Sequence, residues 1–160
     1  GIVLMFKPPN EKAMVSAGVF ALSLTTLFGI SALYHRPTWK PDARRIMRRL
    51  DHSAIFVLIA GTYTPMILLT FTEDYALILG LIWLGAAIGV GVSVFWTSAP
   101  KSLIAALCVS FGWAGVWNWK SFQDGLLGHQ IAAIAAGGIS YSVGAIVYAT
   151  KVPDPWPRVF

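Results

Sequence analysis

Charged residues are scarce in this chain. Only 12% of its 160 residues are Asp, Glu, Lys or Arg, whereas 56% are hydrophobic and the mean hydropathy is +0.67. A soluble globular domain carries roughly a quarter charged residues, so the composition excludes that class and indicates an integral membrane protein. The net charge of +5 does not indicate a nucleic-acid partner, because the basic residues flank apolar runs instead of forming a solvated surface.

Cysteine is nearly absent too. Cys108 is the only one in the sequence, so no internal disulfide is predicted.

The apolar residues 1–6 are too few to cross a bilayer, which takes about 20 helical residues. We expect them to be the end of a preceding helix, cut at the N-terminus.

The chain does contain long runs of uncharged residues. They predict an all-α integral membrane protein, a single helical-bundle domain with five complete spans at about residues 13–34, 52–72, 75–99, 102–119 and 125–150.

Small residues within these runs predict where helices meet. Gly85 and Gly89 have the spacing that lets two membrane helices approach closely. Ala136, Ser140 and Gly144 form a similar seam on the last span.

The segment 36–49 is the most basic in the chain, with six Lys or Arg residues against Asp42 alone. The loops predicted on its side of the membrane hold nine of the twelve basic residues, so the positive-inside rule places this segment in the cytoplasm. Part of it fits a short helix lying on anionic lipid. The interpretation we favour is simpler: the basic residues set the topology and have no further role.

Ser31, His35 and Asp51 gather next to this segment. Ser31 and His35 are four residues apart at the end of the first span, so they share a helix face. Asp51 opens the next span, which returns it to the same membrane surface. His52 adjoins it but points about 100° away. From the residues alone, a hydrogen-bonded structural pair and a metal site explain the cluster equally well.

Three short motifs resemble the hemolysin III proteins, the bacterial-type branch of the progestin and adipoQ receptor (PAQR) superfamily. They are Ser31-x-x-x-His35, Leu50-Asp51-His52 and the sequence AGTYTP at residues 60–65. The resemblance implies seven membrane helices in the full-length protein and a zinc site at the cytoplasmic end of the bundle.

The resemblance also implies roles for the cluster. His35 matches a zinc ligand, Asp51 matches the carboxylate near the zinc-bound water, and Ser31 matches the hydroxyl beside it. The family's His-x-x-x-His pair is missing, since the other histidines are His52 and His129. We therefore expect the site to be incomplete in this chain, with the remaining ligands beyond Phe160.

Three hypotheses for the function follow. The first is a zinc-dependent hydrolase acting on an amide in a membrane lipid such as ceramide, with Asp51 and Ser31 as catalytic residues. The second is a receptor-like or membrane-perturbing protein without enzymatic activity, in which the cluster only stabilises the bundle. A transporter ranks third, because no span carries a charge in its interior.

Overall fold

The computed structural model describes residues 11–71, 74–96, 100–115 and 119–150, and these ranges contain helices and no strand. The all-α prediction is confirmed. The predicted helix end at residues 1–6 lies outside the described ranges. The helices are α1 Glu11–His35, α2 Pro41–Thr70, α3 Tyr75–Phe95, α4 Lys101–Gly112, α5 Trp119–Gly125 and α6 Gly128–Thr150.

Within the described ranges, four helices are long and apolar enough to cross a membrane: α1, α2, α3 and the part of α6 over Gly128–Val147. The protein is an all-α integral membrane protein. The fourth predicted span, at 102–119, has a shorter helix than expected. α4 ends at Gly112 after 12 residues, where the Trp113 N–H donates to the Val109 carbonyl. Twelve residues rise only about 18 Å, short of the ~30 Å hydrocarbon core.

Helix α2 begins well before the predicted span at residue 52. It starts at Pro41, a residue favoured at a first helical position because its missing N–H would have had no intrahelical partner. The helix then runs for 30 residues, across Pro65, to Thr70. The arginine-rich segment is therefore the first part of a transmembrane helix, and the structure has no separate helix lying on the membrane there.

The chain divides into two compact units, residues 1–97 and 98–160. In the first unit, α2 packs against both α1 and α3. Against α1 a close approach lies at Gly61, where an added Cβ would lie 2.6 Å from the Cβ of Ser23. Against α3 it is at Gly89, where an added Cβ would lie 2.3 Å from the Phe56 ring. Small residues allow such approach where lipid gives helices no hydrophobic reason to associate.

Polar contacts show that the three helices run antiparallel to their neighbours. The Trp83 indole N–H donates to the Thr64 hydroxyl over 3.3 Å. The Lys12 ammonium, near the start of α1, lies 4.4 Å from the centre of the Tyr75 ring at the start of α3. The start of α1, the end of α2 and the start of α3 thus lie together at one end of the unit.

The buried residues of this unit come mostly from α2, as its central position requires. The contact predicted from the two glycines is confirmed for Gly89, which is buried, while Gly85 is half-buried. The buried residues on α2 are Ser53, Ala54, Phe56, Ala60, Gly61, Tyr63, Thr64 and Ile67, and those on α3 are Ile82, Ala86, Gly89 and Ser93.

In the second unit, α4 and α5 pack against α6. Trp113 lies over Gly138, and its indole N–H donates to the Ser142 hydroxyl over 2.8 Å. Cys108 of α4 is buried in this unit.

The small-residue seam predicted on this helix does not form that contact. Ala136, Ser140 and Gly144 are exposed, and an added Cβ at Gly144 would meet nothing within 4 Å. Residues 136 and 138 differ by about 200° around the helix, so the seam lies on the face opposite the one that α4 covers.

Candidate functional site

Two helices joined by a short connection carry the predicted site residues. His35 is the last residue of α1, and Ser31 lies one turn before it. Residues 36–40 lead into α2, and Asp51 lies ten residues after the start of that helix. The connection folds back on α1, because the Trp39 indole N–H donates to the Leu33 carbonyl over 2.8 Å.

The α1–α2 contact fixes the level of these residues relative to one another along the helix pair. Ser23 and Gly61 lie opposite each other. From that level, Ser31 and His35 are about 12 and 18 Å along α1, at 1.5 Å per residue. Asp51 is about 15 Å from Gly61 in the same direction, because the helices are antiparallel. Asp51 therefore lies at a depth between Ser31 and His35.

The same contact fixes the side of the helix pair that the residues occupy. Each residue rotates about 100° around its helix. Ser31 and His35 lie about 80° and 120° around α1 from Ser23. Asp51 lies about 80° around α2 from Gly61, and in an antiparallel pair these rotations turn toward the same side. The three residues thus share one depth and one side, the side away from α3.

The three side chains differ in exposure. Ser31 and Asp51 are half-buried, and His35 is exposed, with its ring edge-to-face against Tyr34 at 4.6 Å between centroids. His52 follows Asp51, and at 100° per residue it lies on the side of α2 opposite Gly61, pointing away from α1. It has an interaction partner elsewhere. His129 belongs to the second unit, at the start of α6.

The described residues do not complete a zinc site. A protein zinc site takes at least three protein ligands, usually imidazole, thiolate or carboxylate. Within the described ranges, no three His, Cys, Asp or Glu residues are grouped so as to hold a metal ion. The cluster offers the imidazole of His35 and the carboxylate of Asp51, which is at most part of such a site.

Two further polar features were not predicted from the sequence. Arg48 and Arg44 lie on the Asp51 side of α2, about one and two turns farther out respectively. This relation is visible only once residues 41–50 are known to be helical. On the α3 side, the hydroxyls of Ser53 and Ser93 are buried without a hydrogen-bond partner. The opposition of Phe56 and Gly89 places these two serines at nearly one level.

Comparison with known proteins gives the family. The haemolysin-III-related family matches this chain over residues 1–160. The chain belongs to that family. Hemolysin-3 of Bacillus cereus is 33% identical over 148 residues, which cover 92% of this chain and 67% of that protein. A Hemolysin-3 homolog of Bacillus subtilis is 35% identical over 140 residues, covering 86% of this chain and 65% of its own length.

The likeness extends to a receptor branch. An adiponectin receptor protein of Drosophila melanogaster is 26% identical over 175 residues, covering 98% of this chain and 39% of that protein. The resemblance to hemolysin III proteins within the PAQR superfamily is therefore confirmed. The chain spans about two thirds of the length of these two Bacillus relatives.

Proposed function

We propose that this hemolysin III/adiponectin-receptor-like membrane protein contributes part of a zinc-dependent lipid hydrolase site. The observation that supports the proposal is the placement of Ser31, His35 and Asp51 at one depth and on one side of the α1–α2 pair. An imidazole, a carboxylate and a hydroxyl are the groups that metal-assisted hydrolysis uses.

Each residue has a separate role in this proposal. His35 supplies one ligand nitrogen, and the remaining ligands come from residues of the longer protein. Zinc, when bound, lowers the pKa of a coordinated water toward 7. Asp51 accepts a proton as a general base, and the Ser31 hydroxyl orients the water by hydrogen bonding. The substrate is an amide in a ceramide-like membrane lipid.

The proposed orientation puts this site at the cytoplasmic face. Residues 36–49 hold six of the basic residues, and positively charged segments next to membrane spans remain on the cytoplasmic side. Because the cluster lies at the α1–α2 end that adjoins this segment, it faces the cytoplasmic leaflet.

Elemental analysis of the full-length purified protein tests the metal. One zinc per chain is expected, lost in His35→Ala and kept in His129→Ala, the matched control. Asp51→Asn keeps zinc and lowers lipid amide hydrolysis, because a residue that only accepts a proton does not hold the ion. Zinc content unchanged by His35→Ala would remove the site and the enzymatic role together.

The second candidate is a receptor-like or membrane-perturbing protein without enzymatic activity. It is favoured by the missing third ligand among the described residues and by the name Hemolysin-3 of the bacterial relatives. In that case the cluster stabilises the packing of α1 on α2. His35→Ala would then lower thermal stability in detergent without any change in metal content.

A further inference from the structure

The four arginines at the start of α2 occupy two different faces of one helix. By helical rotation, Arg44 and Arg48 lie on the Asp51 side, while Arg45 and Arg49 are turned toward the α3 side, each about 100° from the arginine that precedes it. Arg45 forms an ion pair with Asp42. Among the described residues, neither Arg44 nor Arg48 forms an ion pair, and both are exposed. Their charges are available to a partner outside the chain.

The length of α2 places this pair in the lipid headgroup layer. Thirty residues rise about 45 Å, whereas the hydrocarbon core is about 30 Å thick. With the apolar part beginning at residue 52, Arg48 and Arg44 lie about 6 and 12 Å outside it. Long arginine side chains can reach several Å along the helix toward the headgroups.

The chemistry of this face suits a phosphate. Guanidinium groups bind phosphate oxygens through paired, charge-assisted hydrogen bonds, and two arginines at i and i+4 project from neighbouring turns. Deeper on the same side come Ile55 and Leu58, both half-buried, which offer an apolar surface to acyl chains. The Asp51 carboxylate lies between these two zones, so a phosphate is favoured at the arginine level and disfavoured deeper.

We propose that Arg44 and Arg48 bind the phosphate of one anionic phospholipid, whose acyl chains lie along α2. The bound lipid sits next to the Ser31, His35 and Asp51 cluster. This role goes beyond setting topology, to which all four arginines contribute alike. It does not depend on zinc or on hydrolysis.

A thermal-shift titration of the full-length protein in detergent tests the proposal. The ligands are dioctanoyl phosphatidylglycerol and, as a neutral control, dioctanoyl phosphatidylcholine. Phosphatidylglycerol should stabilise the wild type more than phosphatidylcholine does. The variant R44Q/R48Q should weaken the apparent affinity on the order of 10- to 30-fold, and the matched control R45Q/R49Q, with the same charge change, by less than about threefold.

Three outcomes would overturn the proposal. Equal weakening in the two variants would mean diffuse charge attraction, and equal stabilisation by both lipids would mean no headgroup site. If glycerol phosphate, which has no acyl chains, stabilised the protein as much as phosphatidylglycerol does, the site would be one for soluble anions. If R44Q/R48Q does not fold, R44K/R48K replaces it. It should bind phosphatidylglycerol more weakly than R45K/R49K, since lysine loses the paired hydrogen bonds, and equal binding would refute the site.

Discussion

Replacing Gly61 by Ala tests the helix contact on which the site geometry depends. The new Cβ would lie 2.1 Å from the Ser23 hydroxyl oxygen and 2.6 Å from the Ser23 Cβ. The hydroxyl can rotate away, but the Cβ is fixed to the backbone of α1. Gly61→Ala therefore forces α1 and α2 apart.

The size of the effect follows from two opposing contributions. Overpacking of a tight contact costs about 1–3 kcal/mol, whereas Gly→Ala inside a helix contributes about 0.5–1 kcal/mol of stability. We expect Gly61→Ala to lose about 1 kcal/mol in free energy of unfolding, within the range of about 0–2.5 kcal/mol that the two contributions span. Gly80→Ala is the control, because an added Cβ there meets nothing within 4 Å. It should gain about 0.5–1 kcal/mol.

The assay is equilibrium unfolding in mixed micelles, followed by helical circular dichroism. Ser23→Gly in the Gly61→Ala background removes the blocking Cβ and should restore most of the lost stability. If Gly61→Ala is as stable as Gly80→Ala, the two helices do not approach closely at this point. The common depth of Ser31, His35 and Asp51 would then lose its support.

Three further predictions concern orientation, an unpaired hydroxyl and the shared side of the cluster. A single cysteine at Asp42, in a background where Cys108 is replaced by Ser, should resist impermeant thiol reagents in intact cells; labelling from outside would reverse the proposed orientation. Ser53→Ala should leave unfolding stability unchanged or raise it by up to about 1 kcal/mol, since it removes a buried hydroxyl without a partner; a clear loss would reveal a hidden hydrogen bond. Ser31→His creates an i, i+4 histidine pair on α1, and in this engineered site, unlike the proposed natural one, the Asp51 carboxylate would serve as a third ligand. Its zinc affinity should therefore fall about tenfold or more on adding Asp51→Ala; an unchanged affinity would place Asp51 out of reach.

Helices that are apolar along their whole length, because they face lipid or other helices, could be predicted from the sequence. The charge-free run at residues 13–34 became α1 with one or two residues added at each end, because no competing signal interrupts it. The contact at Gly89 was also predicted, since small residues at four-residue spacing let membrane helices approach closely. The same spacing at Ala136, Ser140 and Gly144 lies on an exposed face, so the spacing alone does not identify a contact.

Two helix boundaries were not predictable from hydropathy. Because residues 41–50 are charged, they were interpreted as a topology-setting segment or a short helix on the lipid surface, and not as the first part of the span. Arginine and alanine are nevertheless good helix formers, and Pro41 suits the first turn. α4 ends at Gly112 although apolar residues continue to Trp113 and beyond. A hydropathy window measures transfer into lipid and carries no information about where backbone hydrogen bonding stops.

The site itself depends on a contact that sequence patterns did not identify. The cluster was inferred because the end of one predicted span and the start of the next lie at the same membrane surface. That inference assumed that the connecting loop sets the depth of Asp51. In the structure, ten helical residues precede Asp51, and the opposition of Ser23 and Gly61 sets its depth. A slip of one turn between α1 and α2 would move Asp51 by about 5.4 Å relative to His35, enough to separate the proposed base from the proposed ligand. The chemistry proposed at the end of α1 thus rests on a glycine about 18 Å away along the helix pair, which is why Gly61 is the first residue to test.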